Sequence, residues 1–327
     1  MQPALKRLLD DPAVSPLIAQ FFPDRETLLQ TIASLRTIVD FQRVIMMQRV
    51  DAIVRDTMTR FTYSMSDWFD PRQCHLYVSN HRDIILDAML LDKVLLDNGF
   101  DTPRVIFGSN LLTIPLMGEL GRLNKLVSMD RGGSPRDFYR VLDETSHYIR
   151  QSITGDGQSV WIAQRNGRTK DGNDRTDAAV VKMLALSAPD LSLTEALSAL
   201  HIVPVAVSYE WESCDLLKVR ETCAPQPYVK RPDEDLQSVV TGFTQPKGQV
   251  HISIADPLTS DELAACHDDP QQVASLLDRR IHAAYKLHPT NLDPSLLQSR
   301  LALLHTEQER QALVKLYLTP STHKKEN

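Results

Sequence analysis

Between Cys74 and Leu96 the chain reads CHLYVSNHRDIILDAMLLDKVLL, an apolar run that breaks at Ser79-Asn80-His81 and resumes with a different period. His75–Val78 reads as a short buried strand. From Asp83 to Leu96 the residues Ile84, Ile85, Ala88, Leu91 and Leu95 fall near one face of a helix. His81 therefore belongs to a strand-to-helix turn, the position at which an open α/β sheet usually carries its reactive side chains. An imidazole there can take a proton from an alcohol near neutral pH if its second nitrogen is held by an acceptor. Asp83 and Asp87 are the candidate acceptors. The plainer reading is that His81 caps the helix or bonds a backbone carbonyl.

The 327 residues suffice for one large α/β domain or two small ones, and 42% hydrophobic with 24% charged residues allows a sizeable core. No apolar run approaches the roughly 18 residues that cross a bilayer, and MQPALKRLLDDPAVSP has no signal-peptide apolar region. A cytoplasmic location is the resulting expectation. Cys74, Cys214, Cys223 and Cys266 have no CxxC spacing and the histidines no HExxH-like spacing, so free thiols and no metal are expected. A net charge of −6 argues against general nucleic-acid binding. From Leu120 to Lys182, however, eleven Lys and Arg face eight Asp and Glu, a local excess that can receive an anion.

Along the chain, residues 1–70 are expected to be helical throughout, because Leu28, Ile32, Leu35, Val39, Met46, Val50, Ile53 and Met58 recur at helical steps. Packing against the later domain is the plain reading; interleaved arginines also suit an anionic lipid surface. Pro103–Phe107 and Val127–Met129 read as strands, the second leading into Asp130-Arg131-Gly132-Gly133. The stretch between them, with Pro115 and Gly118, suggests a loop pressed against a pocket. Ser134 caps a crossover helix bearing Phe138, Val141, Leu142, Thr145 and Ile149 on one face. Ser159–Ala163 is the next strand and ends in Gln164-Arg165-Asn166-Gly167-Arg168-Thr169-Lys170. Three cations around a glycine allow an anion site there, with Arg168 offering a planar fork. His201–Tyr209 is a buried strand, and Pro204 within it implies an edge or a bulge. Val250, Ile252 and Ile254 alternate as a further strand; Thr259 to about Tyr317 is helical, and Thr319–Asn327 reads as a frayed tail.

Four stretches in this order resemble the glycerolipid acyltransferases, the family that includes glycerol-3-phosphate and lysophosphatidate acyltransferases. They are Asn80-His81-Arg82 with a downstream Asp; Gly108-Ser109-Asn110-Leu111 through Pro115 and Gly118 to Arg131; Asn166-Gly167-Arg168; and Val203-Pro204-Val205 leading to Tyr209-Glu210. Lys247–Val250 to Asp256-Pro257 is similar to the closing strand of the glycerol-3-phosphate branch. Two departures stand out. The family usually has four residues between its histidine and aspartate, which lands on Leu86, whereas Asp87 leaves five. Asp87 is the favoured partner, with Asp83 on the exposed side of the turn. Asn166 also stands where the family carries Glu before the glycine.

The resemblance implies an α/β fold with a central, mostly parallel sheet flanked by helices and helical extensions at both ends. The divisions are a helical region over 1–70, an acyltransferase domain over 71–258 and a packed helical region over 259–327. It further implies transfer of a fatty acyl group from acyl-CoA or acyl carrier protein to a glycerol-phosphate-type acceptor in phospholipid synthesis, with no cofactor. His81 and Asp87 would be catalytic, and Arg131, Asn166, Gly167, Arg168, Lys170 and Pro204 would bind substrate. Peripheral attachment to the cytoplasmic face of the inner membrane follows from lipid products without a spanning segment. A serine hydrolase is disfavoured because no G-x-S-x-G elbow is present. The alternatives are a non-catalytic lipid- or phospholigand-binding module, or transfer to a different polar-lipid acceptor.

Overall fold

The computed structural model describes residues 9–10, 24–67, 69–70, 72–109, 111, 118, 121–130, 132, 134–231 and 233–326. Their strands are β1 (Met58–Met65), β2 (Leu76–Ser79), β3 (Arg104–Gly108), β4 (Leu126–Met129), β5 (Val160–Ala163), β6 (Ile202–Tyr209) and β7 (Gly248–Ile254). They form one sheet in the order β1-β7-β6-β2-β5-β3-β4. The five strands from β6 to β4 run parallel; β7 joins β6 antiparallel and carries β1 parallel to itself. The mostly parallel sheet flanked by helices is thus the observed architecture.

Among the described residues the α-helices of five or more residues are α1 (Arg25–Ser34), α2 (Met47–Thr57), α3 (Leu86–Asp97), α4 (Pro135–Thr154), α5 (Ala178–Ala185), α6 (Leu193–Ser198), α7 (Asp215–Cys223), α8 (Glu234–Thr244), α9 (Ser260–Ala264), α10 (Pro270–Ala284) and α11 (Glu307–Glu326). Strand alternation assigns them to two layers. Leu76, Val78, Ile162 and Ile202 face one side and pack on Ile149 and Ile153 of α4, Val181 of α5, and Val273 and Leu277 of α10. Tyr77, Trp161, Val203, Val205, Val207 and Tyr209 face the other and meet Val50 and Ile53 of α2 and Leu86, Leu90, Leu91 and Leu95 of α3. Each such buried side chain contributes about 1.5–3 kcal/mol of transfer free energy, so both layers hold the sheet rather than decorate it. Among the described residues no helix is long and apolar enough to cross a membrane.

Three local expectations are corrected. The described N-terminal stretch is helical up to Thr57, but Met58–Met65 is a strand at the sheet edge. Thr59, Phe61, Thr62 and Tyr63 are β-branched or aromatic and suit a pleated surface, and Met58, the last residue of the helical period, is also the first of the strand. Thr319–Glu326 is not a frayed tail but continues α11, with Pro320 inside it. The Leu316 carbonyl, four residues before that proline, lies against Gly172, where a Cβ would approach it to 2.3 Å. Pro204 is neither at an edge nor at a bulge: β6 lies between β2 and β7, in even register with Val78 beside Pro204. The ring is tolerated because its missing N–H faces the β7 side, where β7 has already ended at Ile254 and the Ala255 N–H donates to the Pro204 carbonyl at 3.0 Å.

Candidate functional site

Register brings three chain segments to one sheet edge. Ser79 at the end of β2 stands level with Ala163 of β5 and Val205 of β6. β2 and β5 then turn off, while β6 runs on for four more residues to Tyr209. Asn80 covers the exposed flank of that overhang. Its carboxamide accepts from the Val207 N–H at 2.8 Å and donates to the Val207 carbonyl at 3.0 Å, taking the place of a strand residue.

The turn after β2 is built on two aspartates. Asp83 Oδ1 accepts from the N–H groups of Ile85 and Leu86 at 3.0 and 2.8 Å, satisfying donors at the start of α3. Its Oδ2 accepts from the Ser213 hydroxyl, and a Cβ at Gly242 of α8 would lie 2.4 Å from it. Asp83 is therefore buried, contrary to the expectation that it faces solvent. Short side chains that bond nearby backbone favour helix starts, so this residue is occupied as a cap and is not presented to His81.

Asp87, in the first turn of α3, gathers four donors. Its Oδ2 lies 3.0 Å from His81 Nδ1 and accepts from the N–H groups of Arg82 and Asp83 at 2.6 and 2.8 Å. Its Oδ1 accepts from the Tyr209 hydroxyl at 2.8 Å. The side chain of Asp87 is 1% exposed and that of His81 15%. The extra residue between the two is absorbed by the bend at 83–85, after which α3 starts at Leu86. With Asp87 ionised the proton sits on Nδ1, which leaves Nε2 with a lone pair able to accept a proton. Trp161 meets the imidazole edge-on at 5.8 Å between centroids and limits its rotation.

Beneath the turn lies a buried ionic group. Arg82 donates to Asp174 Oδ2 at 2.6 Å and to Glu212 Oε2 at 2.9 Å, and its guanidinium lies 4.9 Å from the centre of the Tyr285 ring. Lys218 donates to Glu212 Oε1 and to the Arg82 carbonyl, both at 2.6 Å. Burial alone would lower the Arg82 guanidinium, yet the Asp174 and Glu212 carboxylates raise it well above its ordinary value. The backbone that carries His81 is thus clamped from α7 as well as from α3.

The loop after β5 reaches the same edge. The Thr169 N–H donates to the His81 carbonyl at 2.8 Å, and Gln164 N–H to the Ser79 carbonyl at 2.8 Å. Gly167 adopts φ +75°, a left-handed conformation in which a side chain would be strained. Arg168 is half-buried; Nη2 donates to Ser238 of α8 at 3.2 Å, and Nη1 is buried with no acceptor among the described residues. Asn166 and Gly167 are exposed. Lys170 is engaged elsewhere, in an ion pair with Glu221 at 2.5 Å. Pro204 is buried in the sheet interior, level with Val78 rather than with His81. Arg131, like Asn110 and Pro115, lies outside the described residues.

The structure therefore brings together His81, Asp87 and the Arg168 loop, and leaves Lys170 and Pro204 away from that centre. It adds Asn80, Arg82, Asp174, Tyr209, Glu212 and Lys218. Asn80, Arg82 and Tyr209 stood inside recognisable sequence blocks, but no local spacing assigns them these partners. Residues 60–208 match a family model described as Acyltransferase. No curated protein matches the chain. Among solved structures, the chain is similar to the 1-acyl-sn-glycerophosphate acyltransferase PlsC of Thermotoga maritima at 14% identity. That alignment covers 78% of this chain and 86% of the other, with a TM-score of 0.43.

Proposed function

We propose, from the premise that the chain belongs through residues 60–208 to the acyltransferase superfamily, that it moves a fatty acyl group from acyl-CoA or acyl carrier protein to a glycerol-phosphate-type hydroxyl. The observation that carries the reading is the contact of 3.0 Å between His81 Nδ1 and a buried Asp87, which leaves Nε2 free to act as a general base. The hydroxyl proton passes to Nε2 as the oxygen attacks the thioester carbonyl. Collapse of the tetrahedral intermediate breaks the carbon–sulfur bond, and the departing thiolate takes the proton from the imidazolium. Base assistance of this kind supplies about 10²- to 10⁴-fold, and holding both substrates in place supplies much of the rest.

Arg168 is the cation proposed to hold the acceptor phosphate, since its Nη1 has no acceptor among the described residues and its loop is bonded to the His81 carbonyl. Arg131 is proposed for the same phosphate on the sequence resemblance. Charge-assisted contacts contribute roughly 1.5–3 kcal/mol, so Arg168→Ala should raise the acceptor Michaelis constant about ten- to a hundredfold and leave that of the donor nearly unchanged. Equal loss for both substrates, or equal use of monoacylglycerol, would remove the phosphate assignment. Offering glycerol-3-phosphate and lysophosphatidate side by side, each with acyl-CoA and with acyl carrier protein, tests the acceptor and donor classes.

Attachment to the membrane is proposed to be peripheral, at the cytoplasmic face. Leu236 and Val240 are exposed one turn apart on α8, on the face opposite the buried Ser238, and form the apolar pair proposed to meet the lipid. Salt or carbonate should release the membrane-bound fraction; a requirement for detergent would contradict this mode.

A further inference from the structure

Tyr209 closes the side of the Asp87 carboxylate that His81 does not reach, and nothing in the proton transfer outlined above uses it. Its hydroxyl donates to Asp87 Oδ1 at 2.8 Å, while His81 Nδ1 is 3.0 Å from Oδ2 of the same group. The phenol is 1% exposed. Burial, then the neighbouring Asp87 and Asp83 charges, push its ionisation well above the ordinary phenol range, so it remains a donor. Its place follows from topology. Tyr209 is the last residue of the β6 overhang and points into the layer that holds α3, whose first turn carries Asp87.

We propose that Tyr209 is a positioning residue that sets how strongly Asp87 stabilises a protonated His81, and so fixes the pH range in which the imidazole is a free base. This rests on the reading of His81 as the general base. A carboxylate shares its charge among its donors, and every bond accepted on Oδ1 weakens what Oδ2 offers to Nδ1. The phenol is the only side-chain donor besides His81 among the described partners of Asp87; the other two are the backbone N–H groups of Arg82 and Asp83. The remaining charged groups around this centre are Asp83 and Arg82 in the turn, Arg168 and Asp174 in the loop after β5, Glu212 and Lys218 around the start of α7, and Lys247 just before β7, an ammonium that burial lowers to about 8 against the pull of Asp83. These three carboxylates are themselves bonded, Asp83 to Ser213, and Asp174 and Glu212 to Arg82, with Lys218 on Glu212. They are fixed in place, which leaves the Tyr209 donor as the adjustable one.

The test is the pH dependence of kcat/KM for acyl transfer in two variants of opposite sign. Tyr209→Phe removes the donor, concentrates charge on Oδ2 and favours the imidazolium, so the acid limb should move upward by about 0.5–1 pH unit, with kcat lowered about 3- to 10-fold at neutral pH. Replacement of Tyr209 by 3-fluorotyrosine, a stronger donor of nearly the same shape, should move the limb downward. A purely structural role lowers thermal stability in both variants and moves the limb in neither. If Tyr209→Phe does not fold, the fluorinated protein alone decides the matter by the sign of its shift. Unshifted limbs in active protein overturn the role of Tyr209. A His81→Ala protein of near-normal rate overturns instead the base assignment on which it rests.

Discussion

Purified His81→Ala is expected to fold and to lose at least about a hundredfold in acyl transfer at saturating substrates. The two halves of that expectation have separate physical grounds. Folding should survive because Asp87, the buried partner, is not orphaned when the imidazole goes. Its Oδ2 keeps the Arg82 and Asp83 N–H groups and its Oδ1 keeps the Tyr209 hydroxyl. A carboxylate with three remaining donors carries no large desolvation penalty. Activity should collapse because no other described imidazole is bonded to this carboxylate. Asp87→Asn separates orientation from charge. Its amide oxygen can occupy the Oδ2 position and keep both backbone donors, and the Tyr209 hydroxyl can rotate to accept from the new NH₂. The ring stays oriented while the charge that stabilises an imidazolium is gone, so a loss of about 10²-fold or more is expected. Thermal unfolding and steady-state rates on the same preparations check both variants. Near-normal transfer by His81→Ala sinks the base assignment; a dead His81→Ala beside a fully active Asp87→Asn would leave Asp87 as scaffold only.

The turn that carries His81 was legible in the sequence because the hydrophobic period changes from strand to helix across three polar residues, and a change of period needs no partner to be read. Which aspartate faces the imidazole was less so. With one residue more than the related spacing, the choice depends on where α3 starts, and that is decided by Asp83 capping Ile85 and Leu86. β1 was hidden for the opposite reason: a residue shared by two periods, Met58, let the helical pattern run past its end. The polar shell of the site was not legible at all. Arg82 finds Asp174 at a separation of 92 residues and Glu212 at 130, and Tyr209 finds Asp87 at 122. Such pairings exist only after β5 and β6 have docked on either side of β2, so no window along the chain contains them.

Arg82→Met is expected to be the most destabilising single change near the site, by about 3–5 kcal/mol, because it strands two buried carboxylates. The side chains of Arg82, Asp174 and Glu212 are 1%, 3% and 3% exposed, so solvent cannot compensate the loss. Glu212 retains Lys218, at 2.6 Å, and is only half deprived. Asp174 Oδ2 retains only the Asn80 amide, at 2.9 Å, among the described partners of that oxygen, and this is where the penalty concentrates. Neutralising the stranded charge should therefore restore stability: Arg82→Met with Asp174→Asn is expected to recover at least half of what the single variant loses. A buried pair replaced as a pair is often close to neutral, whereas one partner removed alone is costly. Denaturant unfolding of the two single variants and the double variant measures the coupling directly. The double variant should nevertheless stay impaired in acyl transfer. Methionine keeps the backbone N–H that binds Asp87, but the guanidinium that anchored this turn to Glu212 is gone, and the His81 geometry loosens with it. Additive losses in the double variant would mean that Arg82 acts through its contact with Tyr285 rather than through its charges.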